Sequence, residues 1–316
     1  MSRSIRIPYG TVPSVRFKRT ETPYWYSFGM SKSSVATAKA PASPYAAPGP
    51  YRDFLFPLIA LFAGLAFPAS WLIYTFLVIG QSHFWMTYIY QYRGGKIGRR
   101  YLLSVALLAS ATLAYLWFFG EQGFWIFLVV ALLFPIHFAF DEFVLHRERS
   151  TPRTLTTVAG FTLLSFLIVL SEAVKDDWCT YLLYGVSAIF FCGAAWRFYS
   201  NRDSVLKAER YLWYVGAALL VLYLCGRPEQ ALSVIILLHG LNWALAFGER
   251  VKGDARKARE YWLLTAVTVT VSLAAFIVFL ALKTEYLRYF FAIVYYDAWA
   301  IAHIVLSVRI PLRTRV

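Results

Sequence analysis

Charge is in short supply in this chain. Asp, Glu, Lys and Arg make up 15% of its 316 residues, where an average soluble domain carries about 25%. The shortage is concentrated in blocks, and from Phe54 to Tyr92 there is no charged residue at all. That excludes a soluble globular enzyme. Cysteine is scarcer still. Cys179, Cys192 and Cys225 have no paired or metal-ligand spacing, which excludes a disulfide-stapled module and leaves them as small packing residues. There is no P-loop, no Gly-x-Ser-x-Gly and no Cys-x-x-Cys. The apolar blocks show no alternation of period two, which argues against a β-barrel.

What fills the chain is apolar (59%) and aromatic (19%). Apolar blocks matching the hydrocarbon thickness of a bilayer predict an all-α, polytopic helical membrane protein. Ten spans are expected, at 53–68, 70–91, 101–119, 124–141, 154–174, 178–196, 211–226, 229–248, 261–282 and 289–308. The first two come from the single run Phe54–Tyr92, which as one helix would be about 58 Å long, roughly twice the bilayer core. The Phe67-Pro68-Ala69-Ser70 break is where it should fold back.

The net charge of +14 follows from this topology. With loops assigned alternately, 27 of the 31 Lys and Arg fall on one side and only Lys175, Arg227, Lys283 and Arg288 on the other. Cytoplasmic loops carry the excess, so both termini are expected in the cytosol, as in a multi-pass protein of a bacterial inner membrane. No nucleic-acid partner is called for. Residues 1–52 hold seven of the thirteen prolines and are expected to be a disordered, basic cytoplasmic tail near anionic membrane lipids; residues 53–316 form one transmembrane domain.

Four of the five histidines lie inside predicted spans: His83 in the second, His137 in the fourth, His239 in the eighth and His303 in the tenth. All are even-numbered, so the four helices run in one direction. Counting to the next charged residue at Arg93, Asp141, Glu249 and Arg309 places all four at roughly 6–15 Å below the cytoplasmic boundary. Polar groups at matched depth are costly to leave facing lipid, so they are expected to face the interior. Neutral imidazole is the commonest metal ligand and suits iron, copper, nickel and zinc. Asp141, four residues after His137, lies on the same helix face and is placed to orient its imidazole. Asn242 and Gln81 are expected as polar companions of His239 and His83. Asp297, nearly two turns before His303, is flagged as an unusual intramembrane carboxylate. Glu142 reads as a boundary charge, and His146 as a solvated interfacial residue. The aromatics Phe84, Trp85, Phe138, Trp243, Tyr296 and Trp299 are the expected lining of a cavity for an apolar, lipid-like molecule.

The segment Ile136-His137-Phe138-Ala139-Phe140-Asp141-Glu142-Phe143 resembles a motif of the Brp/Blh family of β-carotene dioxygenases. Gly80-Gln81-Ser82-His83 is similar to that family's first histidine motif, and His239 and Ala302-His303-Ile304 follow its order. In departure, Phe84 and Thr87 stand where the family has glycine and aspartate, and Trp243 replaces a second histidine. The resemblance implies a non-haem Fe(II) oxygenase with His83, His137, His239 and His303 as ligands. It would use O₂ to cleave a double bond of a polyene or isoprenoid, as β-carotene is cleaved to retinal. Two other readings stay open: a non-enzymatic membrane protein, such as a haem- or lipid-binding subunit or a transporter, and a bundle whose histidines bind no metal and only join helices.

Overall fold

The Phe67-Pro68 step ends one helix and starts the next. Proline removes a backbone donor and pushes its predecessor out of the helical region, so α1 (Pro50–Ala66) stops and α2 (Ala69–Arg93) begins. The computed structural model describes residues 50–93, 98–119, 123–146, 148, 150–200, 204–283 and 285–313; of the tail expected over residues 1–52, residues 1–49 lie outside them. The remaining helices are α3 (Arg99–Phe118), α4 (Gly123–Leu145), α5 (Leu155–Val174), α6 (Asp177–Ser200), α7 (Lys207–Leu224), α8 (Pro228–Val251), α9 (Ala255–Leu282), α10 (Glu285–Phe291) and α11 (Ile293–Arg313). No strand occurs among the described residues.

Local chemistry sets the ends. Gly226 (φ 70°) follows α7 in the left-handed conformation, and Lys175 and Lys283 close α5 and α9 the same way. Pro228 opens α8, where a missing N–H costs nothing. Asp254 caps α9 by accepting from the Lys257 N–H. Glu148 accepts from the backbone N–H groups of Lys207 and Ala208, 2.9 Å each, and so caps α7 from another part of the chain.

One predicted element is divided. The span expected at 289–308 is two helices, α10 and α11, parted at Ala292. The carbonyls freed at the end of α10 are taken up by side chains: Gln81 Nε2 donates to the Phe290 carbonyl (2.7 Å) and Trp299 Nε1 to that of Tyr289 (2.9 Å). In an apolar setting an unpaired carbonyl is costly, so these two bonds are what make the break tolerable.

Five helices (α4, α5, α6, α8 and α9) are long and apolar enough to cross a membrane. α5 and α8 are the central pair, with 56% of their apolar windows buried, whereas α9 buries 11% and turns Leu263, Val271 and Ile277 outward. Outward apolar faces of this kind suit lipid. Around α8 the packing closes a ring: α2 rests on α8, α8 on α4, α4 on α11, and α11 on α2.

Candidate metal centre

Each helix of that ring carries one of the four histidines expected inside spans. His83 comes from α2, His239 from α8, His137 from α4 and His303 from α11. Their imidazoles follow the same cyclic order. Ring centroids are 4.9 Å apart for His83–His239, 4.9 Å for His239–His137, 5.2 Å for His137–His303 and 4.9 Å for His303–His83. Across the ring, His239 and His303 are 6.2 Å apart.

These spacings can be compared with coordination geometry. Ligand bonds of about 2.0–2.1 Å put each imidazole centroid about 3.2 Å from an ion, so neighbouring rings stand about 4.5–5.2 Å apart and an opposed pair about 6.4 Å. The four neighbouring distances fall in the first range and the cross-ring distance lies close to the second. A closed tetrahedron would put every pair near 5.2 Å; the wider His239–His303 pair opens the set on one side.

Three of the rings are buried, and most of the four rings' nitrogens lack hydrogen bonds. His137, His239 and His303 are each 2% exposed. Among the described residues, His83 Nε2, His137 Nε2 and both nitrogens of His239 and of His303 have no hydrogen bond. A buried polar atom left so costs about 1–3 kcal/mol, and an ion shared by a converging group of them is one way to satisfy them together. Donor atoms of His83, His239 and His303 lie within 4.8 Å of one another, as do those of His137, Asp141 and His239. His239 belongs to both sets and is the pivot of the site.

Asp141 extends the donor set. Its Oδ2 lies 3.4 Å from His137 Nε2 and 3.8 Å from His239 Nε2. The same oxygen accepts a 2.7 Å hydrogen bond from Trp243 Nε1. Asp141 therefore faces two imidazoles from two helices, beyond the single pairing with His137 read from i,i+4 spacing. Trp243, expected to line a cavity, instead anchors this carboxylate.

The other expected residues divide by helix rotation. Phe84 and Tyr296 stack on each other (5.5 Å) and line a narrow slot that begins at His303. The slot's cavity volume is about 30 Å³, and it is continuous with wider space, about 440 Å³ in all when the open space outside is counted. Asp297 lies on its wall. Trp85 is 46% exposed on the outer surface: two residues past His83 is about 200° of rotation, to the far side of α2. Phe138, one residue past His137, stacks on Phe161 and Tyr211 and backs the His239 ring at 6.1 Å, without lining the slot. Gln81 and Trp299 serve the end of α10 rather than His83 or the slot. Asn242 bonds Glu142 Oε1 (2.9 Å) and the Tyr211 hydroxyl (2.6 Å), so it braces α8 against α4 and α7.

Two expectations at the end of α4 need correction. Glu142 is 1% exposed, not a boundary charge, and His146 is not solvated. His146 Nδ1 lies 2.8 Å from the Glu142 carbonyl and its Nε2 lies 3.1 Å from Asp53 Oδ1 of α1. A carbonyl on one ring nitrogen and a carboxyl on the other favour the protonated ring. Burial pulls its pKa down, but the hydrogen bond to Asp53 and the charge of Glu142 outweigh it and hold the value above the ordinary one. The sequence hid this because Asp53 and His146 are 93 positions apart. Phe134, which lines the slot with its ring 5.6 Å from His239, was also passed over; its place three residues before His137 was the available sign.

Comparison with family models, curated proteins and solved structures finds no match to the chain.

Proposed function

We propose that this chain is a membrane-embedded non-haem iron oxygenase that acts on an apolar polyene or isoprenoid. Its ten spans would place both termini in the cytoplasm of a bacterial inner membrane. The observation that carries the reading is the closed ring of four imidazoles with partnerless nitrogens, spaced as ligands of one ion are spaced. Haem fits poorly, since four imidazoles this close leave no room for a macrocycle between an axial pair. The opened His239–His303 pair favours an ion with a vacant position over a closed structural zinc. Iron, O₂ and double-bond cleavage come from the resemblance to the Brp/Blh motifs.

His83, His137, His239 and His303 would hold the ion, with Asp141 beside it. Bound Fe(II) supplies the electron chemistry that lets O₂ react with a closed-shell alkene. Adding one O₂ across one double bond gives two carbonyls, with both oxygen atoms in the products and no reductant consumed. The chain's own part is positional. Phe76, Phe84, Phe134 and Tyr296 form an aromatic slot leading to His303 that would thread a flat apolar chain and exclude water. Trp243 keeps the Asp141 carboxylate turned to His137 and His239.

Protein purified from iron-replete cells is expected to carry about one iron per chain. Replacing His239 with Gln should release it while circular dichroism stays helical. Wild-type protein that is folded and free of metal would end the proposal.

A further inference from the structure

The slot beside His303 is apolar on nearly every side. Its walls come from Phe76 and Phe84 of α2, Phe127 and Phe134 of α4, and Tyr296 of α11. Asp297 interrupts this surface. It is 8% exposed, it lines the slot, and it has no hydrogen bond or ion pair with any described residue. Every other buried acidic group has partners: Glu209 takes Arg197 and Thr157, Glu142 takes Asn242, and Asp53 takes His146. Burying a carboxyl with no partner costs several kcal/mol, on the order of the whole margin by which folds are stable. A lone carboxyl without a second oxygen or nitrogen donor is not a cation site. It is a hydrogen-bond acceptor turned into a greasy channel.

Position adds a constraint. Asp297 lies six residues before His303 on α11, which is about 9 Å along the helix axis. Most of the other wall residues also precede the histidines of their own helices: Phe76 comes before His83, Leu232 and Ile236 before His239, and Phe127 and Phe134 before His137, while Phe84 and Ile304, one residue past His83 and His303, close the slot at the imidazole end. The slot thus runs from the imidazole ring toward the N-terminal ends of these helices, with Asp297 part-way along it.

We infer that the slot takes an apolar chain bearing a hydroxyl group, and that Asp297 binds this hydroxyl about 9 Å from the imidazole ring. This deepens the oxygenase reading and rests on it for the slot's role as a substrate site. A plain hydrocarbon offers the carboxyl nothing and leaves its desolvation uncompensated; a hydroxylated chain donates one hydrogen bond and is fixed lengthwise by it. Asp297 then acts as a ruler, selecting which bond of a repetitive chain reaches the imidazoles. It is a specificity residue and takes no part in holding the ion.

The test uses full-length protein as purified, in detergent and under nitrogen, with iron measured on each sample. Tritiated geranylgeraniol is the probe in a scintillation proximity assay, competed by unlabelled geranylgeraniol or by the same chain without its hydroxyl. The wild type should prefer the alcohol by about tenfold, the ratio that corresponds to one hydrogen bond. Asp297→Asn keeps an acceptor oxygen and should retain most of that preference; Asp297→Leu should bind both competitors equally, with unchanged iron. Equal competition in the wild type, no saturable binding, or a preference that survives Asp297→Leu overturns the inference, the last meaning that water alone satisfies the carboxyl. A clear preference in protein that never carries iron would retire the metal reading while leaving the slot assignment standing; iron without preference does the reverse.

Discussion

His146 lies between the Glu142 carbonyl and the Asp53 carboxyl, which favours its protonated form. Its folded pKa is raised above the usual value, so the stability it contributes is fully present below about pH 6.5 and drains away as pH climbs through the raised value. Asp53→Asn removes the acceptor on Nε2. Thermal unfolding in detergent should show the wild type ahead of Asp53→Asn at pH 6, with the gap narrowing toward pH 9; a gap independent of pH would mean the ring is not charged. Trp243 works through Asp141. Losing such an outer contact commonly costs about 10–100-fold in metal affinity, and Trp243→Phe should weaken iron retention against a chelator by that much while leaving the melting temperature nearly unchanged. A retention curve identical to wild type would show that the indole only packs.

At the level of helices, α2 and α11 meet at Gly80. A Cβ there would overlap the Tyr296 hydroxyl, so glycine is what lets the two helices approach one turn from His83. Overpacking of this kind costs about 1–3 kcal/mol. Gly80→Ala should lower the melting temperature, and adding Tyr296→Phe should recover part of the loss by removing the overlapping oxygen; a double variant no better than the single one would place the strain elsewhere. Gln81→Leu, leaving the Phe290 carbonyl unpaired, should cost about 1–3 kcal/mol as well. These helix contacts mark the limit of what the sequence discloses. The α1–α2 break is written in Pro68, but the α10–α11 break has neither proline nor glycine and exists because Gln81 and Trp299 reach across to it. Trp85 sits next to His83 in sequence and on the outer surface in space, since each residue turns the helix by about 100°.

For the whole molecule, apolar blocks and matched histidine depth foretold a helical chain with four imidazoles brought together. They did so because hydrophobic thickness and the cost of intramembrane polarity act on any bundle, whatever its packing. The slot, the Asp53–His146 bridge and the second face of Asp141 depend on which helices touch, and no single segment records that. The charge distribution makes a further prediction about orientation. With the native cysteines replaced, single cysteines placed at 201 and 253 should react with an impermeant maleimide only in inverted vesicles, and one at 284 only in intact cells. Labelling of 253 and 284 from the same side would break the ten-span topology.

The central claim is that the four imidazoles share one ion. Iron K-edge X-ray absorption on purified protein tests it most directly. The expected spectrum has a nitrogen and oxygen shell at about 2.0–2.2 Å with the multiple scattering of several imidazoles, and that scattering should weaken in His239→Gln. A sulfur shell, a porphyrin pattern, or no iron edge in folded protein would contradict it.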